Sequence, residues 1–144
     1  MFTQIVIGTL LIAITVVIHA VVLDRLMVTL GTLGPEFFKI FHKVWKVPLL
    51  TVTVLGVFTA HIIEIWLWAF FYLGVGALDG LEAALYFSTT TFTTVGYGDV
   101  VLGQDWRLIS AFQAGNGFIL FGWSTAFIFE VMSKLYEQEQ IKKS

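Results

Sequence analysis

The residues whose types and spacing could do chemistry lie between Gly80 and Asp99, in the run GLEAALYFSTTTFTTVGYGD. Its first part, Leu81 to about Phe92, is apolar enough for a helix, but it is too short to cross a bilayer, which takes about 20 residues. The segment must therefore enter the membrane and return on the same side. Non-helical backbone at that depth survives only when it is buried in protein or lines a wet cavity. The carbonyls that end the segment must face something that satisfies them.

A second set of reactive side chains lies inside an apolar run, where His61 and Glu64 are three residues apart and so share one helical face. Ionisable groups at such depth are functional candidates. One interpretation is that Glu64 bonds to the re-entrant helix or to Arg107, and the other is pH gating through the pair. Two ligands with no third nearby are too few for a metal site. His19 is interpreted as a polar contact near the cytoplasmic end of the first helix.

The elements that position these residues must be membrane helices. Of the 144 residues, 58% are hydrophobic and 12% charged, and the mean hydropathy of +0.88 excludes a soluble domain. Three runs are long enough to span the bilayer: Met1 to Leu23, Pro48 to about Leu73, and about Leu108 to Phe129. A net charge of -2 argues against a nucleic-acid partner, and the lack of cysteine excludes disulfides.

Basic residues predict the orientation of these spans. The connection between the second and third spans has only one cation, Arg107, beside several acidic residues. The other connection and the tail carry Arg25, Lys39, Lys43, Lys46, Lys134, Lys142 and Lys143. The positive-inside rule then places the amino terminus outside and the tail in the cytoplasm of a plasma (inner) membrane. A cleaved signal peptide is the alternative for the first run, but no cation precedes it.

The first connection contains its own helical pattern, because aromatic and apolar residues recur at helical spacing from Phe37 to Trp45. Gly34-Pro35 is predicted to start this helix and Pro48 to stop it. We expect a short amphipathic helix at the cytoplasmic lipid interface. Its basic side chains would bind anionic lipid at Lys39, Lys43 and Lys46. The alternative is a helix that packs on its neighbours and has no lipid role.

The end of the re-entrant segment, Thr94 to Gly98, has the sequence TVGYG and is followed by Asp99. This motif resembles the selectivity filter of the potassium channel family, and the resemblance covers roughly the last two thirds of the chain. It implies an all-α membrane protein with three transmembrane helices, a re-entrant pore helix and a filter loop. Because each chain has one such loop, a closed filter requires a homotetramer. The alternative is that Gly-Tyr-Gly is only a turn. The resemblance implies K⁺ binding in the filter formed by Thr94, Val95, Gly96, Tyr97 and Gly98, with carbonyls of the first four as ligands.

Further roles follow from the same resemblance. Tyr97 would point away from the axis and pack on the pore helix. Gly117 would be the bending point of the inner helix, and Phe121 and Thr125 would line the cavity below the filter. Small residues of that helix would otherwise serve only close helix packing. Residues that support the filter would be Tyr86, Phe87, Thr90, Thr93 and Asp99. Thr90 replaces the acidic side chain of some members, so a carboxylate network around Asp99 is not expected.

These inferences divide the chain into four parts: a peripheral helix (1–23), a cytoplasmic connection (24–47), a pore module (48–131) and a cytoplasmic tail (132–144). We expect a potassium-selective channel that is not an enzyme and has no cofactor beyond the potassium ions in the filter. No span carries a series of arginines, and the tail is short, so neither a voltage sensor nor a ligand-binding domain is expected. A non-selective monovalent cation channel and a non-conducting membrane subunit are the alternatives.

Overall fold

Four α-helices and one short turn account for most of the chain. In a computed structural model, the backbone is described for residues 1–143, and side chains are described for residues 1–42 and 44–140. The helices are α1 (Phe2–Phe41), α2 (Lys46–Gly74), α3 (Leu81–Phe92) and α4 (Arg107–Lys143), and a 3-10 turn (His42–Val44) joins α1 to α2. Helices α1, α2 and α4 are long and apolar enough to cross a membrane. The short α3 packs against α2 and α4, and α1 packs against both of these long helices.

The predicted interfacial helix is not a separate element, because α1 continues without a break through Pro35 to Phe41. Proline in a helix interior removes one backbone hydrogen bond and costs about 3 kcal/mol. Burial offsets this cost: Leu30, Leu33 and Phe37 belong to an apolar cluster with residues of α2 and α4. Pro48 lies in the first turn of α2, where a missing N–H costs little. The boundary expected between residues 23 and 24 therefore does not end a helix.

The other expected spans agree with the structure. The run from Pro48 to Leu73 lies within α2, and the run from Leu108 to Phe129 lies within α4. Helix α4 goes on through the predicted tail, so its 37 residues reach about 55 Å at 1.5 Å per residue. This length exceeds a bilayer core of about 30 Å. The carboxyl-terminal turns of α4 extend beyond the core of the membrane.

Two apolar clusters stabilise the chain at opposite ends of the helices. One joins α1, α2 and α4 through residues such as Leu26, Leu49 and Leu135. The other surrounds α3 and includes Trp68 of α2 and Leu120 of α4. A layer of buried polar side chains lies along α1, α2 and α4 between the positions of these clusters. This layer and α3 contain the polar and ionisable side chains that are candidates for a function.

Candidate ion pathway

Helix α3 ends where the filter motif begins. The N–H of Thr93 donates to the carbonyl of Thr89 (3.0 Å), and the Thr93 hydroxyl donates to the same carbonyl (2.8 Å). The helix has 12 residues and is thus too short to span, as its sequence predicts. The carboxyl end of a helix carries a partial negative charge, so the residues after Thr93 lie in a field that favours cations.

The sign of the backbone φ angle alternates along the filter motif. Thr94, Gly96 and Gly98 have φ values of 61°, 50° and 80°, whereas Val95 and Tyr97 are not in the positive-φ region. A positive φ is strained for a β-branched residue such as threonine and costs a glycine almost nothing. The N–H of Gly96 donates to the carbonyl of Thr90 (3.0 Å), which ties the middle of the loop to α3. The motif is therefore a specific backbone conformation and more than a tight turn.

Tyr86 and Asp99 are joined by a hydrogen bond that spans the loop. The Tyr86 hydroxyl donates to Oδ2 of Asp99 (2.7 Å). This bond lowers the pKa of Asp99 below its ordinary value of 3.8 and raises the pKa of Tyr86 above its usual range. Thr90, whose hydroxyl donates to the carbonyls of Tyr86 and Phe87, does not take part. Sequence reasoning expected no carboxylate network here and missed that a tyrosine holds Asp99 instead.

The aromatic residues near the filter motif differ in how far they are buried. Tyr97 is 73% exposed in the single chain. Val95 is half exposed. Phe87 is buried against the ring of Tyr72 in α2, with centroids 5.2 Å apart. Packing of Tyr97 on Tyr86 and Phe87 of the pore helix stays a prediction.

A buried polar network behind α3 was not foreseen from the sequence. The Ser88 hydroxyl donates to the Ile65 carbonyl (2.7 Å), and the Gln113 amide donates to the Ser88 hydroxyl (2.8 Å). The Tyr72 hydroxyl donates to Oε1 of Gln113 (2.8 Å). These bonds fix α3 between α2 and α4. The only signal in the sequence was the presence of single polar residues in apolar runs, which does not identify partners.

A comparison with known protein families identifies the family of the chain. Residues 57–134, more than half of the chain, match the model of a family described as ion channels. The chain belongs to this ion channel family. No curated protein and no solved structure matches it. The match covers most of α2, all of α3 and the filter motif, and the membrane-spanning part of α4, and it leaves α1 outside. The channel is a multi-pass membrane protein of a family that conducts ions.

Helix α4 contacts the end of α3 at Gly117. A Cβ at this position would overlap the carbonyl oxygen of Phe92, so only glycine allows the backbones to approach so closely. This contact favours the packing role of a small residue, which the sequence left open, while bending at Gly117 stays a prediction. Phe121 packs inside the chain against His61 and Phe92, with ring centroids 4.6 and 5.6 Å away. Thr125 is exposed and Phe121 is partly exposed, and lining of the cavity by these two residues stays a prediction.

His61 and Glu64 have a partner that sequence reasoning did not assign. The Nδ1 atoms of His19 and His61 lie 2.9 and 3.0 Å from the two carboxylate oxygens of Glu64. This differs from the expected bond of Glu64 to the re-entrant helix or to Arg107. His19 is 45 residues away from Glu64 in sequence and is fully buried in the middle of α1, so it is not a contact near the end of a helix. Gating by pH through this pair stays a prediction.

The lysines expected to bind lipid lie around the turn between α1 and α2. Lys39 forms an exposed ion pair with Glu36 (3.0 Å), and Lys46 pairs with Glu139 of α4. Lys43 lies outside the described side chains. Lys46 thus contributes to the contact between α2 and α4, and lipid binding by the three residues stays a prediction.

Proposed function

We propose that four copies of this channel surround a potassium-selective pore. The observation that carries the proposal is the alternating backbone of Thr94 to Gly98, with positive φ at the first, third and fifth residues. Such alternation turns successive carbonyls toward one side of the strand. Four strands around an axis would then present rings of oxygens that replace the hydration shell of K⁺.

The chemistry of this filter assigns a role to each residue. Carbonyls of Thr94, Val95, Gly96 and Tyr97 would be ligands, and the Thr94 hydroxyl would complete the innermost ring. The exposure of Tyr97 and Val95 in the single chain supports an assembly in which neighbouring chains cover them. The carboxyl ends of four α3 helices would point toward the axis and favour a cation there.

The charge distribution supports one orientation of the channel. The loop between α3 and α4 and the start of α3 carry Glu82, Asp99 and Asp105, and Arg107 is the single cation nearby. With this side outside and the basic turn after α1 in the cytoplasm of the plasma (inner) membrane, the outer mouth would attract cations. The amino terminus would then be outside and the carboxyl terminus in the cytoplasm.

Flux through reconstituted protein tests the proposal. Purified channel in liposomes should carry K⁺ along a potassium gradient, carry little Na⁺ along an equal sodium gradient, and be blocked by Ba²⁺, a divalent ion close to K⁺ in size. Equal flux of both ions would identify a non-selective cation channel. Absence of flux at acid and neutral pH would favour a non-conducting subunit.

A pair of glycine variants tests whether the filter backbone carries the selectivity. Gly96 has a φ of 50° and no atom near the position of an added Cβ, so Gly96→Ala introduces conformational strain without a clash. Gly103 also has open space around it and has no positive φ. We expect Gly96→Ala to abolish selective K⁺ flux and Gly103→Ala to retain it. Equal flux from both variants would contradict the proposed role of the loop.

A further inference from the structure

Four buried side chains from three helices form a closed ring in the interior of the channel. His19 comes from α1, His61 and Glu64 from α2, and Ser124 from α4. The two imidazole Nδ1 atoms face the carboxylate at 2.9 and 3.0 Å, and the Ser124 hydroxyl lies 3.2 and 2.9 Å from the Nε2 atoms of His19 and His61. We call these residues the histidine ring. None of its members is more than 5% exposed.

The donor atoms of the histidine ring have the chemistry and spacing of a metal site. One atom each from His19, His61 and Glu64 can be chosen so that all lie within 4.8 Å of one another. Ligands of one tetrahedral ion with metal–nitrogen bonds of about 2.0–2.1 Å are about 3.3 Å apart, so the three donor atoms, which lie within 4.8 Å of one another, would draw closer around an ion. Two imidazoles and one carboxylate are a known ligand set for zinc. This site could not be recognised from the sequence, because His19 is far from the other two residues along the chain.

The Ser124 hydroxyl lies where it can orient both imidazole rings for metal binding. A histidine that binds a metal through one ring nitrogen usually donates the other N–H to an oxygen, which fixes the orientation of the ring. The Ser124 oxygen is within reach of both Nε2 atoms, so it can accept from both rings at once. Both Nδ1 lone pairs would then be directed toward Glu64. Ser124 is thus a positioning residue for both imidazoles.

The surroundings also offset part of the positive charge of a divalent ion. One negative charge comes from the carboxylate of Glu64. The ring of Phe92, the last residue of α3, lies 5.8 Å from the ring of His61, so the negative end of the α3 dipole is close. The rings of Trp123 and Phe121 pack on His19 and His61. The two imidazoles and the carboxylate would be three of the four ligands that a tetrahedral ion takes, and the fourth position would be open to water.

We propose that His19, His61 and Glu64 bind one first-row divalent transition-metal ion of the zinc class per chain, with Ser124 orienting both imidazoles. The ion would link α1 to α2 beside the inner end of the filter. This proposal is independent of whether the pore selects K⁺, because it rests on the histidine ring alone.

Cobalt binding tests the site without any flux measurement. Purified channel, with its affinity tag removed, is depleted of metal and titrated with Co²⁺, whose visible absorption reports tetrahedral nitrogen and oxygen ligands. We expect one equivalent of tetrahedral Co²⁺ per chain and its displacement by Zn²⁺. Variants His19→Gln and Glu64→Gln should lose this signal. Ser124→Ala should weaken binding about 10- to 100-fold while leaving the ligands in place.

The third histidine of the chain provides a matched control. His42 is exposed and has a φ of 42°, which asparagine also tolerates, so His42→Asn removes an imidazole with little strain. This variant should bind Co²⁺ as the wild type does. The proposal is overturned if the wild type shows no tetrahedral signal, in which case the residues form only a hydrogen-bonded ring. It is also overturned if His42→Asn loses the signal while His19→Gln, eluting as the wild type does on size exclusion, retains it.

Discussion

At the scale of single residues, the bond between Tyr86 and Asp99 connects the pore helix to the loop after the filter. It stabilises the ionised carboxylate and so lowers the pKa of Asp99. A group with a lowered pKa contributes stability above its ordinary pKa of 3.8 and loses that contribution as the pH falls through the lowered value. The wild-type loop should thus keep its ionised aspartate further into the acid range than an unbonded aspartate would.

We therefore expect Tyr86→Phe to make the channel more sensitive to acid. Without the phenol donor, the pKa of Asp99 rises toward its ordinary value, so the carboxylate is protonated at a higher pH. The measurement is K⁺ flux in liposomes as a function of external pH, and the acid limb should move upward. Tyr136→Phe, which removes a hydroxyl from an exposed tyrosine of α4, is the control. Superimposable acid limbs for all three proteins would show that the bond has no such effect.

The close approach of α4 to the end of α3 at Gly117 leads to a prediction about stability. In an exposed helix interior, glycine to alanine gains up to about 1 kcal/mol. At Gly117 the added Cβ meets the backbone of Phe92, which cannot rotate away, so Gly117→Ala should destabilise the chain by about 1–3 kcal/mol. Thermal unfolding in detergent measures this loss as a lower midpoint. Gly122→Ala, on the same helix with open space around it, should not lower the midpoint, and equal losses would contradict the argument.

At the scale of elements, α1 is attached to the rest of the chain through polar contacts as well as apolar ones. The Asn116 amide of α4 donates to the Thr15 hydroxyl of α1 (2.7 Å), and both side chains are buried. Asn116 thus bonds between helices, to α1. Interhelical hydrogen bonds contribute about 0.6 kcal/mol on average in membranes.

A double-mutant cycle measures this contact. Thr15→Val and Asn116→Leu should each destabilise the chain, and the double variant should lose less than the two single losses together, by about 0.5–1.5 kcal/mol. The readout is the free energy of unfolding in mixed micelles. Strictly additive losses would mean that the two side chains do not support each other.

The elements differ in how far the sequence predicts them. Runs of apolar residues between charges were sufficient for α2, α3 and the membrane-spanning part of α4, because a bilayer demands long uninterrupted helices. The extent of α1 was mispredicted, since Gly34-Pro35 normally begins a helix and only tertiary packing of Leu30, Leu33 and Phe37 carries α1 past it. Such packing depends on residues of α2 and α4, so no local pattern contains it.

The functional residues, like the helices, could be predicted from the sequence only in part. The motif from Thr94 to Gly98 was singled out by its resemblance to a family and lies within the matched residues 57–134, and its role as a filter stays a proposal. His19 could not be assigned to Glu64, because a lone histidine in an apolar run gives no register between α1 and α2. The bonds of Gln113 to Ser88 were missed for the same reason. Local chemistry was predictable, whereas pairings across helices needed the packed structure.

At the scale of the whole molecule, the single chain leaves the filter motif without neighbours, and the side chain of Tyr97 is 73% exposed. We expect native mass spectrometry of the purified channel to give a tetramer. Tyr97→Ser should shift the distribution toward smaller species, because the buried aromatic surface between chains is lost. Tyr136→Ser, which alters an exposed tyrosine outside the pore module, should leave the tetramer intact. A stable monomer or dimer of the wild type would contradict the proposed pore.

The histidine ring also determines how α1 can move. In lipid no hydrophobic force draws apolar helices together, so specific contacts must fix the register between them. A slide of α1 past α2 by one turn, about 5.4 Å, would separate His19 from Glu64 and leave the buried carboxylate with His61 as its remaining histidine partner. The histidine ring therefore opposes sliding of α1 along α2, and we expect stretching or thinning of the bilayer to tilt the two helices together.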